Sequence, residues 1–307
     1  MNKIIAIVGP TAVGKTALAL ALAKELNGEI ISCDSMQIYR YMDIGTAKPT
    51  KEEMAQIPHH LIDIKNPDES FSCADYAVCA KNAIEDIIKR GKTPIFCGGT
   101  GLYLDSVIEI DSFSSSVKDE AYRTELEVYA EQNGNEALHN LLKEVDPQSA
   151  EQIHPNNTKR VIRALEIYKC TGIPKSKWDE NSKNEAPPYD STVFFLTSSN
   201  RELLVERIEK RVDIMLEQGL LNEAKFLYEN GYLDEKYTSY SAIGYKELLP
   251  YLKGEDTLEN CVERLKISTR QYAKRQLTWF GRKKNYNKIY VNEQEPFKTA
   301  LELLEKK

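Results

Sequence analysis

Histidine and cysteine are scarce in this sequence, with four of the first and six of the second among 307 residues. Cys33, Cys73, Cys79, Cys97, Cys170 and Cys261 form no C-x-x-C pair, and the neighbours His59 and His60 have no cysteine pair close by. The usual zinc spacings are therefore missing. Several cysteines sit in apolar or helical stretches, which reads as reduced, buried thiols rather than a disulfide frame. No apolar run approaches the roughly 18–20 residues that a membrane helix needs. Met1 to Val8 is a short strand-like run without a signal-peptide pattern. The expectation is a soluble cytoplasmic protein with no membrane partner. Nor does one sign of charge dominate: 41 basic against 47 acidic residues give a net charge of −6 and a pI near 5.5. An acidic total argues mildly against a protein coated in nucleic acid, yet it permits a local basic groove.

What is present begins with alternation. Lys3–Val8 is a β-branched run stopped by Gly9 and Pro10, and Leu18, Leu22 and Leu26 follow at helical spacing until Asn27-Gly28. Glu29–Cys33, His60–Ile64 and Thr93–Cys97 read as further strands, with a helix over Ala74–Arg90 and another from Leu102. Strand and helix in turn predict a parallel sheet with its ligand at the C-terminal strand ends. The pattern changes at the polar stretch Ser112–Ser116. Lys118–Asn133, Asn135–Val145 and Asn156–Cys170 read as helices with no strand between them, closed by a loop over Asn181–Thr192. Thr192–Thr197 returns to the sheet. Helices are expected over Arg201–Gln218, Leu220–Asn230, Tyr240–Leu252 and Leu258–Phe280, then a strand at Lys288–Val291 and a last helix. The fold class is therefore α/β: a P-loop NTPase-like parallel sheet flanked by helices, with an all-helical insertion domain. Residues 1–111 and 191–307 form the core domain, and 112–190 the insertion.

The sharpest motif is Gly9-Pro10-Thr11-Ala12-Val13-Gly14-Lys15-Thr16, a G-x-x-x-x-G-K-[ST] loop between a strand and a helix. Its backbone N–H groups and the helix start converge on phosphate oxygens; Lys15 adds a point charge and the Thr16 hydroxyl can ligate Mg²⁺. The motif does not say which phosphate compound is bound. A Walker-B carboxylate is lacking, since TPIFC runs straight into Gly98-Gly99-Thr100-Gly101. That weakens an ATPase reading and leaves a small-molecule kinase open. Asp34, at the end of the second strand, is either a turn-forming cap or a general base or Mg²⁺ partner at the crevice mouth. Thr100 is either turn chemistry or a hydroxyl at a second strand end.

Arg264–Lys284 carries Arg264, Lys266, Arg270, Lys274, Arg275, Arg282, Lys283 and Lys284 with no acid, interleaved with Tyr272, Trp279 and Phe280. A solvated helix face would normally hold acids for i,i+4 pairing. Their absence predicts an anionic partner, most naturally a polynucleotide backbone. Lys159, Arg160 and Arg163 form a smaller cluster. Arg207 and Arg211, four residues apart, share a helix face and could reach a diphosphate, or equally pair with Glu206 or Glu209.

Together, GPTAVGKT at 9–16, ISCDSMQIYRYMDIGTAKP at 31–49, PHHLIDI at 58–64, FCGGTGLY at 96–103, HPNNTKRVIRALEI at 154–167, SAIGYKEL at 241–248 and TRQYAKRQLTWF at 269–280 resemble the tRNA dimethylallyltransferases, also called tRNA isopentenyltransferases. The resemblance runs from about residue 3 to 281 in the family's order. The zinc-finger tail of some eukaryotic members is missing, which fits a bacterial-type enzyme. The resemblance implies transfer of a dimethylallyl group from dimethylallyl diphosphate to N6 of adenosine 37 beside the anticodon of tRNA, with Mg²⁺ as cofactor. It casts Asp34, Thr100 and Arg211 as catalytic, and Gly9–Thr16 as the diphosphate loop. For the tRNA path it implies Asp34, Ser35, Met36, Gln37, Thr100, Lys159, Arg160, Val161, Ile162, Arg163, Ser241, Ala242, Ile243, Gly244, Tyr245 and Lys246, with Arg123 near the anticodon arm, which the insertion would clamp. Lys274 and Arg275 join that path from the basic helix, and a monomer is expected. An ATP-dependent kinase, a prenyltransferase acting on free AMP or ADP, and a non-catalytic tRNA-binding protein are the rivals.

Overall fold

The computed structural model describes residues 2–109, 119–182 and 187–306. The chain divides into two compact units, Met1–Ile108 with Tyr189–Lys307, and Glu109–Pro188.

The first unit is built on β1 (Lys3–Val8), α1 (Lys15–Glu25), β2 (Gly28–Cys33), α2 (Lys51–Gln56), β3 (His59–His60), α3 (Cys73–Lys89), β4 (Thr93–Gly98) and α4 (Gly101–Ile108). The described sheet is wholly parallel, in the order β3-β2-β4-β1-β5-β6, where β5 and β6 come later in the chain. Burial on both faces explains why β1 reads KIIAIV rather than alternating. Its side chains still divide by parity. Ile4, Ala6 and Val8 join Ile31, Phe96 and Phe195 in one layer, while Ile5 and Ile7 join Ile30, Ile95, Phe194 and Leu196 in the other. The first layer is covered by Tyr76, Ala80 and Ile84 of α3 and Leu104 of α4, the second by Leu18 and Leu22 of α1. Each fully buried Val, Leu, Ile or Phe among them contributes about 1.5–3 kcal/mol. Ser72 fixes the start of α3 by accepting from the Asp75 N–H while the Asp75 carboxylate accepts from the Ser72 N–H.

The second unit consists, in its described residues, of α5 (Glu120–Asn133), α6 (Asn135–Val145), α7 (Pro147–Gln152), α8 (Thr158–Thr171) and α9 (Lys175–Ser182). Leu126, Leu138, Leu142, Val161, Ile162 and Leu165 make its core. Ser112–Ser116 and Lys118 lie outside the described residues.

The chain then returns through β5 (Asp190–Thr197), α10 (Arg201–Glu217), α11 (Leu220–Glu229), α12 (Leu249–Leu252), α13 (Leu258–Gly281), β6 (Asn287–Tyr290) and α14 (Pro296–Glu305). No described helix is long and apolar enough to cross a membrane.

Two expected elements differ. The strand over His60–Ile64 shrinks to His59–His60, because Leu61 and Asp63 take left-handed conformations at φ 63° and 56° that no strand admits. The helix over Tyr240–Leu252 is only a 3₁₀ turn at Thr238–Ser241 and the short α12. Between them Ala242 is extended, Gly244 sits at φ 111°, and the Glu247 carboxylate accepts from the Gly244 N–H at 2.9 Å. The short helices α2, α7 and α9 were not legible, being too brief to show a period.

Candidate active site

β1 ends at Gly9, whose φ of 149° and close approach to the Leu196 carbonyl leave no room for a side chain: a Cβ there would lie 2.3 Å from that oxygen. The loop turns through Ala12 at φ 63° and Gly14 at φ 99° before α1 starts at Lys15. Thr11, Ala12, Gly14, Lys15 and Thr16 line a cavity of about 670 Å³. Gly9, Pro10 and Val13 are buried behind it. Lys15 Nζ donates to the Pro10 carbonyl at 2.8 Å. Burial lowers the Lys15 pKa to about 8; the nearby Arg211 charge pushes the same way and Asp34 opposes it.

Asp34 follows β2 into the same cavity. Its Oδ1 accepts from the Met36 N–H at 2.9 Å, so it does close a turn. Burial raises its pKa, against the N–H bond from Met36 and the charges of Lys15 and Arg211. A carboxylate kept basic by burial, within reach of the Lys15 and Arg211 charges, suits proton acceptance. Ser35, Met36 and Gln37 line the cavity beside it. Thr100 does not line it; its hydroxyl accepts from the Ser35 N–H at 3.0 Å and pairs with Tyr272, fixing the turn that carries Asp34.

The opposite wall comes from late in the chain. Arg207, Lys210 and Arg211 of α10 face the cavity, with Ser241, Ala242, Ile243, Gly244 and Lys246, and with Tyr272, Arg275 and Gln276 of α13. Arg207 and Arg211 are not spent on Glu209, which pairs with Arg270 instead. Tyr245 is set back: it is fully buried, and its hydroxyl donates to Glu223 at 2.7 Å.

The basic stretch divides. Arg264 pairs with Asp256 at 2.6 Å, Lys266 with Asp213 at 2.8 Å, Arg270 with Glu209 and Lys283 with Asp105 at 3.0 Å. The acids missing from the local sequence are supplied by tertiary neighbours. Lys274 and Arg275 are exposed and make no ion pair among the described residues. The Arg275 guanidinium lies 5.7 Å from the Tyr272 ring centre.

In the helical unit, Lys159 and Arg160 are exposed at the start of α8, but Val161 and Ile162 are core residues. Arg123 Nε donates to Glu166 at 2.8 Å, and Arg163 pairs with the same fully buried carboxylate. Those two arginines neutralise an internal charge.

A family model described as IPP transferase matches residues 37–284. The chain belongs to the IPP transferase family. A tRNA dimethylallyltransferase from Bacillus cytotoxicus is 53% identical over 282 residues, covering 92% of this chain and 88% of its own. The crystal structure of the tRNA isopentenylpyrophosphate transferase of Bacillus halodurans is similar at 49% identity and a TM-score of 0.73, over 99% of this chain and 94% of that one. A eukaryotic dimethylallyltransferase acting on tRNA is similar at 36% identity and a TM-score of 0.83, over 95% and 74%.

The cavity is also lined by residues that the sequence did not point to. Gln276 is one: its Oε1 accepts from the Thr11 N–H at 2.9 Å and its Nε2 donates to the Gly99 carbonyl at 3.0 Å. It therefore ties α13 to both glycine loops. A Cβ at Gly99 would lie 2.0 Å from Gln276 Nε2, so a larger residue there would displace that amide and its bonds. Lys210 is another. His59 also lines the cavity, with Nδ1 2.7 Å from the Ile57 carbonyl, while His60 pairs with the buried Glu29. No sequence period marks a side chain that reaches across 265 residues to a loop N–H.

Proposed function

We propose that this protein moves the dimethylallyl group of dimethylallyl diphosphate to N6 of adenosine 37 in tRNA, releasing diphosphate. The observation that carries this reading is the convergence of the phosphate loop, Asp34 and Arg211 on one cavity.

The allylic C–O bond breaks as negative charge grows on the diphosphate, so the loop amides, Lys15 and Arg211 stabilise the leaving group. The adenine amine is a poor nucleophile because its lone pair is delocalised into the ring. Asp34 accepts its proton as the new C–N bond forms. Thr100 acts on Asp34 through the Ser35 turn. The donor set fits Mg²⁺: Thr16 opens α1 at the cavity, and Mg²⁺ commonly takes one or two protein oxygens with substrate phosphates for the rest. Bound there, the ion would neutralise charge on the departing diphosphate.

The target base leaves its stack to enter, at a cost of a few kcal/mol. Exposed Lys274, Arg275, Lys159 and Arg160 supply phosphate contacts that offset it. Ser35–Gln37 and the 241–246 segment line the path, the helical unit holds the anticodon arm, and the enzyme acts as a cytoplasmic monomer.

The test is a transfer assay with unmodified tRNA, labelled dimethylallyl diphosphate and Mg²⁺. Parallel reactions hold AMP in place of tRNA, or labelled ATP as donor. Label in tRNA alone is the expected result. Label in AMP would make it a free-nucleotide prenyltransferase, and phosphoryl transfer from ATP without prenyl transfer would make it a kinase.

A further inference from the structure

Glu223 of α11 is partly buried and stands outside the cavity lining, yet its carboxylate gathers four donors. Oε2 accepts from the Asp43 N–H at 3.1 Å and the Ile44 N–H at 2.9 Å; Oε1 accepts from the Gly45 N–H at 3.0 Å and the Tyr245 hydroxyl at 2.7 Å. Three successive backbone N–H groups around one carboxylate fix the 43–47 loop as a charge-assisted clamp. The packing leaves no slack, since a Cβ at Gly45 would fall 2.5 Å from the Tyr245 ring.

The far side of that loop holds Gln37. The carbonyls of Thr46 and Ala47 each accept from Gln37 Nε2 at 3.2 Å, while its Oε1 accepts from the Ser32 hydroxyl at 2.8 Å. Carbonyl oxygens only accept, so the amide must turn its NH₂ to the loop and its oxygen the other way. An amide oxygen has two acceptor positions, and Ser32 uses one. Gln37 lines the cavity three residues from Asp34. The adenine amine has two hydrogens: one for Asp34 and one for an acceptor beside it.

We propose that Glu223 is a positioning residue for substrate reading: by clamping the 43–47 backbone, it holds the Gln37 amide with its oxygen toward the exocyclic amine of the target base. The inference rests on the tRNA reading proposed above. In Glu223→Gln the NH₂ cannot accept from a backbone N–H. On the Oε2 side the Asp43 and Ile44 bonds are lost; on the Oε1 side the Gly45 bond is lost while the Tyr245 hydroxyl can turn to accept. Either way the clamp loses its charge at nearly constant volume. Loss of the clamp frees the loop carbonyls, and the Gln37 amide is no longer held in one orientation.

The experiment measures affinity of the full chain for two anticodon stem-loops, one with adenosine and one with purine ribonucleoside at the target position. The second lacks only the amine. The wild type is expected to prefer adenosine through both amine bonds, to Asp34 and to Gln37, with about fivefold of that preference being the Gln37 bond. Glu223→Gln should reduce that preference by about fivefold, the Gln37 share, while affinity for the purine loop and for dimethylallyl diphosphate stays within about a factor of two. Tyr245→Phe, which removes one of the four bonds, should fall between. Equal weakening for both loops in the variants, or an unchanged preference, would overturn the inference. A wild type that binds stem-loops without any preference overturns Gln37 as the reader, and Glu223's role with it. A wild type that binds neither loop overturns the tRNA reading on which both stand.

Discussion

The two walls of the cavity are built in opposite ways. One is the phosphate loop and the Asp34 turn, where sequence neighbours stay spatial neighbours: Gly9 to Thr16 make one strand-loop-helix, and Asp34 bonds the N–H two residues on. The other wall assembles α10, the 241–246 segment and α13, and its contacts span long separations, as in Gln276 to Thr11 and Gln276 to Gly99. Under the proposed function the first wall handles phosphate and proton, using backbone geometry that tolerates little change. The second, on the same proposal, fixes that machinery and presents charge to tRNA, through side chains whose partners lie far along the chain.

The largest expected effect is on the first wall. Asp34→Ala should lower transfer by about 10²–10⁴-fold, the usual worth of a general base, while tRNA affinity, carried mainly by phosphate contacts, falls by no more than the one amine bond. Loss of affinity instead would leave Asp34 a turn cap. The raised pKa has a sign. Only the deprotonated carboxylate accepts a proton, so the wild-type rate is full above that pKa and falls as pH drops through it, at a higher pH than for an ordinary aspartate.

Lys15→Ala comes next. It should weaken dimethylallyl diphosphate binding by roughly 10–100-fold, in line with a charged hydrogen bond. In the wild type the affinity should hold below pH of about 8 and decline above it as Lys15 loses its proton. A flat titration would detach Lys15 from the diphosphate.

The second wall should respond through salt rather than rate. Lys274→Ala with Arg275→Ala should reduce the salt slope of tRNA binding by nearly one unit per lost phosphate contact. Lys266→Ala with Arg270→Ala should leave the slope unchanged and lower the melting temperature slightly, because those side chains are spent on the α10 carboxylates of Asp213 and Glu209. Identical slopes for both pairs would remove the distinction between unpaired and paired cations on α13.

Arg123→Ala is the smallest. It leaves the buried Glu166 with Arg163 and the Asp119 N–H, and should cost about 1–3 kcal/mol of stability by urea unfolding. An altered salt slope with unchanged stability would return Arg123 to the tRNA surface.

Much of this molecule was legible in its residues. The central strands, the phosphate loop and the run of helices after residue 119 follow from apolar runs, glycine turns and a 3.6-residue period. These signals are local, because backbone conformation and burial of a face are set within a few residues. Tertiary structure alone decided which cations of the basic stretch face solvent, since their acids come from α10, α4 and the 256 turn. It also set Val161, Ile162 and Tyr245 into cores while leaving their charged neighbours Arg160 and Lys246 outside. The physical reason is the same in each case. A charge or a buried polar group is satisfied by whatever donor or acceptor the fold brings within hydrogen-bond distance, and no local period records that distance.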